Sequence, residues 1–265
     1  MPKHKSIEEL ISLRGKRALI TGAAAGIGKA IALRFAEAGA ALDLVDLKAA
    51  SLAALARQLG EEGARVHTYG VDVSSKEEIR MLWDEMGEPV PDILVNNAGI
   101  YPFKDFTDID EAFVKKVIDT NLHSVTWNCY EMIRRRGKRG GVIVNMGSIE
   151  AVLPFKEDLA LYSVSKAGVI ALTRALAKEH AKHGFRVNAI LPGGVVTQGT
   201  RAAAKGVLQL RFGLLKTGWD FRQRLPAARF AQPDEVAHIA LVLASDLASY
   251  VHGAAIPVDG GFLAA

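Results

Sequence analysis

Along this chain, short apolar runs alternate with longer stretches in which apolar residues return every three or four positions, and the alternation holds from Arg17 to the end. The first run, Arg17-Ala18-Leu19-Ile20, reads as a buried strand, and Lys29 to Ala38 after it has helical spacing. The pairing then repeats. Ala41 to Val45 precedes an alanine-rich helix over about Ala49 to Gly60, and Arg65 to Val71 precedes a helix capped by Ser74 or Ser75. Pro91 to Val95 leads to a long helix from Asp110 to Arg136. Gly141 to Ser148 leads to a helix that carries Tyr162 and runs to about His183. Phe185 to Leu191 is a sixth strand, Pro233 to Ala244 a helix, and Ala255 to Gly261 a last strand and turn. With no linker or repeat to divide it, residues 1–265 predict a single α/β domain, a doubly wound parallel sheet with helices on both faces.

A sheet of this kind collects its ligands beyond the C-terminal ends of its strands. Gly22, Asp46, Asp72, Asn96, Ser148 and Thr197 all fall at that edge. Thr21-Gly22-Ala23-Ala24-Ala25-Gly26-Ile27-Gly28 joins strand to helix, and its glycines let a pyrophosphate approach the helix N-terminus, where N–H groups and the dipole favour an anion. Asp46 ends the next strand, where a carboxylate accepts hydrogen bonds from the hydroxyls of an adenosine ribose and repels a 2′-phosphate. It thus favours NAD over NADP, although Lys48 nearby is a cation that tolerates a phosphate, and an N-cap for the following helix is the plainer alternative. Asn96-Asn97-Ala98-Gly99 offers small residues where a backbone passes close to a ligand. Asn121 inside a helix is locally unfavourable, which points to another task. Tyr162 and Lys166, four apart on a helix, reach one point in space, and a cation there favours the phenolate.

Composition removes several alternatives. Hydrophobic residues make up 49% of the 265, enough for a sizeable core. The net charge of +4 is scattered; the one dense basic run, Arg134 to Arg139, sits where a helix should end and Gly137 supplies a stop, so nucleic-acid binding is not expected. Cys129 is the only cysteine, which excludes an intrachain disulfide and fits a reducing compartment. No apolar run follows the basic N-terminal residues, and Arg34, Glu37 and Asp43 interrupt the apolar stretch from Ala30 to Val45, so neither a secretory signal nor a membrane span is expected and the cytoplasm is the simplest location. The histidines form no cluster with metal-ligand spacing. Asp43 inside an apolar strand is costly unless paired, and Asp92 beside Pro91 reads as a turn residue. The segment from Gln198 to about residue 228 has weak periodicity and several glycines, and reads as a substrate lid.

With these residues placed, the chain resembles the short-chain dehydrogenase/reductase family over roughly Leu13 to Phe262. The motifs that carry the resemblance are Thr21-Gly22-x-x-x-Gly26-x-Gly28, Asn96-Asn97-Ala98-Gly99, Ser148, Tyr162-x-x-x-Lys166, Pro192-Gly193 with Thr197, and Val258-Asp259-Gly260-Gly261. The resemblance implies a seven-stranded Rossmann-type sheet, a nicotinamide cofactor and a homo-oligomer, often a tetramer. It implies that Tyr162 is the general acid/base, that Lys166 lowers the Tyr162 pKa and holds the nicotinamide ribose, that Ser148 binds the substrate oxygen, and that Asn121 anchors a water relay to Lys166. The implied cofactor contacts are Gly22, Gly26, Ile27, Gly28, Asp46, Asp72 and Val73 at the adenine, Asn97 on the adenosine side, Ala98, Gly99, Tyr162, Lys166, Pro192, Gly193, Val195, and Thr197 at the carboxamide. The expected activity is NAD-linked interconversion of a secondary alcohol, such as a polyol, sugar or hydroxy acid, with its ketone. An NADP-linked carbonyl or 3-oxoacyl-thioester reductase is the alternative; a dinucleotide-binding protein without chemistry fits less well. Glu150, Leu153, Pro154, Val195, Val196 and the lid should wall the substrate pocket. Arg201, Lys205, Arg211 and Lys216 would attract an anionic substrate, whereas Glu150 would bond a polyol or sugar.

Overall fold

The computed structural model describes residues 4–197 and 224–265. Most of the expected lid, with Arg201, Lys205, Arg211 and Lys216, lies outside the described residues. Seven parallel strands form one sheet in the order β3-β2-β1-β4-β5-β6-β7: β1 (Arg17–Thr21), β2 (Ala41–Asp46), β3 (Val66–Gly70), β4 (Ile93–Asn96), β5 (Gly141–Met146), β6 (Phe185–Pro192) and β7 (Ala255–Val258). The order reverses between β1 and β4, whose register pairs Ala18 with Ile93 and Ile20 with Val95. The crevice at such a reversal is where this architecture binds ligands.

Alternation along each strand sends side chains to the two faces of the sheet. On one face Ile20, Leu42, Leu44 and Val95 meet α2 (Gly26–Glu37), α3 (Ala49–Glu61) and the helix Pro233–Ala244, through Phe35, Leu55 and Val236. On the other, Leu19, Val45, Leu94 and Ile143 meet α4 (Lys76–Met86), α6 (Ser124–Arg136) and α7 (Ala160–His180), through Trp83, Met132 and Val169. No helix among the described residues is long and apolar enough to cross a membrane.

Three local departures from expectation have physical causes. A short helix, α1 (Ile7–Ile11), forms in the polar lead because Ser6 and Glu9 make a reciprocal capping box. The expected single helix from Asp110 to Arg136 is instead α5 (Glu111–Ile118), a π-helical turn at Asp119–His123, and α6. Hydroxyls of Ser124 and Thr126 donate to the carbonyls of Thr120 (2.6 Å) and Leu122 (3.0 Å), supporting backbone that the wider turn leaves less well bonded. Lastly, Asp43 and Asp92 have partners that spacing does not reveal. Asp43 is fully buried and receives a two-pronged bond from Arg17, at 2.6 and 2.9 Å. Asp92 is more than a turn residue: it accepts from the Arg17 backbone N–H at 3.0 Å and pairs with Arg136 at 3.1 Å. The basic run is likewise structural at this N-terminal edge of the sheet. Helix α6 stops at Gly137, and Arg135 and Arg139 pair with Asp84 and Glu88.

Candidate active site

Strand β1 delivers the chain into a turn that excludes side chains. Gly22 has a φ of +66°, and a Cβ there would lie 2.8 Å from the Cα of Ala98. A Cβ on Gly28 would lie 2.2 Å from the Gly22 carbonyl oxygen and 2.5 Å from the Asn97 amide. The turn is braced from β4. Asn97 donates through its side chain to the carbonyls of Thr21 (3.0 Å) and Gly22 (3.1 Å), while the Thr21 hydroxyl accepts from the N–H groups of Asn97 and Ala98 at 3.0 Å each. Asn97, expected on the adenosine side, therefore holds the turn with its amide. Helix α2 starts at Gly26 with no side-chain cap from Ala25, which leaves its N-terminus open to an anion.

Asp46 closes β2 next to this turn. Its carboxylate accepts from the N–H of Ala24 at 3.1 Å and of Lys48 at 3.0 Å. Helix α3 starts at Ala49 with no side-chain capping bond, so Asp46 is not its N-cap. A carboxylate holds about four acceptor positions, so two of these bonds leave room for ribose hydroxyls. Asp72 is folded onto Ser74, whose N–H and hydroxyl it binds at 2.9 and 2.7 Å, and Val73 is buried against the α4 core. Thr197 packs over the turn, since a Cβ on Gly26 would meet its methyl at 3.3 Å. Pro192 ends β6, Gly193 passes so close to Asp259 that a Cβ would lie 2.8 Å from its Cα, and Val195 bridges to Ala231. A cleft of about 490 Å³ runs over the turn between Ala24, Gly26, Lys29, Val196 and Thr197. The side-chain-free turn, the open helix start and the acidic residue beside them fit a dinucleotide.

The second half of the site lies beyond β5. Ser148 caps a single 3₁₀ turn, Ile149–Ala151, accepting from the Glu150 N–H at 3.2 Å, and its hydroxyl lies near enough to the Tyr162 phenol to favour the phenolate. Tyr162 is half-buried as a residue, but desolvation at its hydroxyl end pushes its pKa up to about 12. Lys166, only 4% exposed, donates to the Met146 carbonyl at 2.8 Å, with its ammonium 6.0 Å from the centre of the Tyr162 ring. Burial lowers its pKa to about 8. The expectation that Lys166 holds the phenol below its ordinary pKa therefore does not describe the protein alone. Lys166 is turned to a carbonyl, and desolvation outweighs the relief that Ser148 gives.

Asn121 sits in the π turn, fully buried. Its side chain exchanges bonds with the Ile100 backbone at 2.8 and 2.9 Å and donates to Ser165 at 3.3 Å, tying the end of β4 to α7 one residue before Lys166. A Cβ on Gly99 would meet Asn121 at 3.2 Å and the Lys166 ammonium at 3.5 Å, so these three converge. Both N–H groups of the Asn121 amide are used in these bonds, while its oxygen accepts only one of them and has a second lone pair to which a relay water could donate.

Two polar residues beside Tyr162 escape a reading by motif. The Tyr101 ring meets the Tyr162 ring edge-on, with centroids 5.1 Å apart, and its hydroxyl accepts from Lys156. An aromatic just past Asn96-Asn97-Ala98-Gly99, at the ligand edge, is the one signal that pointed there. Glu150, expected as a pocket wall, is 3% exposed and accepts from the Phe155 N–H at 3.2 Å through one oxygen. Burial raises its pKa.

The protein-family model described as enoyl-(acyl carrier protein) reductase matches residues 22–263. The short chain dehydrogenase/reductase astE of Aspergillus oryzae is 37% identical, covering 96% of this chain and 97% of its own length. The galactitol 2-dehydrogenase (L-tagatose-forming) of Cereibacter sphaeroides is 39% identical over 94% of this chain and 96% of its own. Among solved structures, L-sorbose reductase from Gluconobacter frateurii, complexed with NADPH and L-sorbose, superposes with a TM-score of 0.87 at 31% identity, covering 97% of this chain and 99% of that one. The likeness runs unbroken from the glycine turn through the helix of Tyr162 to the last strand, so the chain belongs to the short-chain dehydrogenase/reductase family and is an NAD(P)-dependent oxidoreductase acting on CH–OH groups.

Proposed function

We propose that this enzyme interconverts a secondary alcohol of the polyol or sugar class and its ketone, with NAD as the preferred cofactor. The observation that carries the reading is the gathering of the Ser148 hydroxyl, the Tyr162 phenol and the buried Lys166 ammonium at the C-terminal edge of the sheet, with the ammonium 6.0 Å from the Tyr162 ring. In oxidation the Tyr162 oxygen takes the proton of the substrate hydroxyl, and Ser148 donates to the same oxygen, stabilising charge as it develops. Lys166 supplies a positive charge near the phenol, which favours its deprotonated form against the cost of burial. A nicotinamide cofactor held over the glycine turn and beside Asp46 would supply the hydride acceptor for oxidation and the hydride donor for reduction, while Tyr162 takes up the proton in one direction and returns it in the other.

The preference for NAD rests on Asp46, the acidic residue tied to the turn at Ala24. The galactitol-acting relative supports a polyol or sugar. A homo-oligomer is part of the same proposal, supported by the exposed apolar Tyr130 on α6 and Val164 on α7, 51% and 60% accessible. The test is NADH appearance against polyols, sugars, hydroxy acids and hydroxysteroids, with NADP in parallel. Oxidation of polyols or sugars with NAD is expected; turnover confined to 3-oxoacyl thioesters would refute the substrate class, and equal kcat/KM with NADP would remove the role of Asp46.

A further inference from the structure

Two polar groups near Tyr162 have a hydrogen-bonding position with no partner among the described residues. The second carboxylate oxygen of Glu150, Oε1, is buried without a hydrogen-bond partner among the described residues. Buried polar atoms are nearly always bonded, and an orphan acceptor costs more than an exposed one, so a bound donor is the natural completion. Glu150 stands two residues after Ser148 on the turn that Ser148 caps, and its charge acts on both Tyr101 and Tyr162. The carboxylate therefore lies on the turn that carries Ser148, within electrostatic reach of the reacting phenol and of the Tyr101 ring that packs on it.

The second incomplete group is the hydroxyl of Tyr101. Lys156 is a pure donor, so the Tyr101 oxygen must be the acceptor in the bond between them. That fixes the direction of the remaining valence. The Tyr101 O–H has no acceptor among the described residues and is left to donate. Side by side, the pocket thus offers one strong acceptor, Glu150, and one donor, Tyr101, next to the Ser148–Tyr162 pair.

A group that accepts one bond and donates another is a hydroxyl. Building on the proposed alcohol chemistry, we infer that Glu150 and Tyr101 form a subsite for a second hydroxyl next to the reacting carbinol, which makes vicinal diols and polyols the preferred substrates. The subsite also discriminates. A carboxylate at that position brings only acceptors and meets the Glu150 charge, and an acyl thioester brings no donor and leaves Glu150 orphaned.

The test compares a matched pair of alcohols, 2,3-butanediol and 2-butanol, by kcat/KM for NAD reduction. Wild type should favour the diol by about 100-fold, the scale of two hydrogen bonds of which one is to a charged group. Tyr101→Phe and Glu150→Leu should each lower that ratio about tenfold or more. Glu150→Gln keeps a carbonyl acceptor and should restore part of the ratio, which also decides the matter if the leucine variant fails to fold. A wild-type ratio near one, or a ratio that Tyr101→Phe leaves intact, with Glu150→Leu leaving it intact too where that variant folds, overturns the subsite and leaves the alcohol chemistry standing. Turnover of neither alcohol, together with reduction of 3-oxoacyl thioesters, overturns the proposed function itself.

Discussion

Arg17, Asp43 and Asp92 at the N-terminal edge of the sheet, and Glu150, Tyr162 and Lys166 at its C-terminal edge, are two sets of ionisable groups taken largely out of water by the same fold. In the first set each acid meets an arginine. Asp43 has both oxygens on Arg17, Asp92 joins Arg17 to Arg136, and Arg17 also caps the carbonyls of Met86 and Pro89. In the second set Lys166 faces a carbonyl, Glu150 keeps an oxygen unmatched, and burial weakens the charged form of every group. Paired burial fixes strands to one another. Unpaired burial is stability left unrealised until a substrate or cofactor supplies the missing partner.

The sharpest break of this contrast is Tyr162→Phe, which removes the proton acceptor and leaves the glycine turn untouched. A kcat lower by about a thousandfold is expected, with NADH affinity by fluorescence titration changed only a few-fold. At the other edge, Arg17→Leu strands the Asp43 carboxylate in the core, and urea unfolding should show a loss of about 3 kcal/mol. The double variant Arg17→Leu/Asp43→Leu should recover much of that loss, and kcat/KM per folded molecule should stay near wild type in both. A smaller effect is expected for Asp46→Ala, a change of about tenfold in the NAD-to-NADP ratio of kcat/KM, from the loss of charge-assisted bonds to the ribose. The smallest is a pH effect of Glu150→Gln. The Glu150 charge raises the Tyr162 pKa, so neutralising it lowers that pKa. Oxidation needs the phenol deprotonated, and the acid limb of its pH profile should therefore move to lower pH. An acid limb that does not move would place Glu150 away from the phenol.

The architecture and the outline of the site were legible in the sequence because both are written in local spacing. Strand and helix periods differ, the glycines mark the turn, and Tyr162 and Lys166 are one helical turn apart. Asn121 was noticed for being a poor helix residue, and it sits where the helix widens into a π turn. What stayed hidden depends on register or on burial. Asp43 finds Arg17 only because β1 and β2 align Arg17 with Ala41, two residues along. Lys156 meets Tyr101 across 55 positions of chain. The raised phenol pKa follows from desolvation and from the Glu150 charge, neither of which a four-residue spacing expresses.

The π turn at Asp119–His123 also makes the number of residues in this region consequential. One extra residue in a helical path rotates everything after it by about 100° relative to an uninterrupted α-helix. The inward aim of Val125, Cys129 and Met132 on α6 is set in phase by that insertion, as is the placement of Asn121 under Ile100. A single-residue deletion here would let the helix regularise and swing either the core face or the site face out of phase. Surface loops absorb changes of length; this helix would tolerate many substitutions before it tolerated one missing residue.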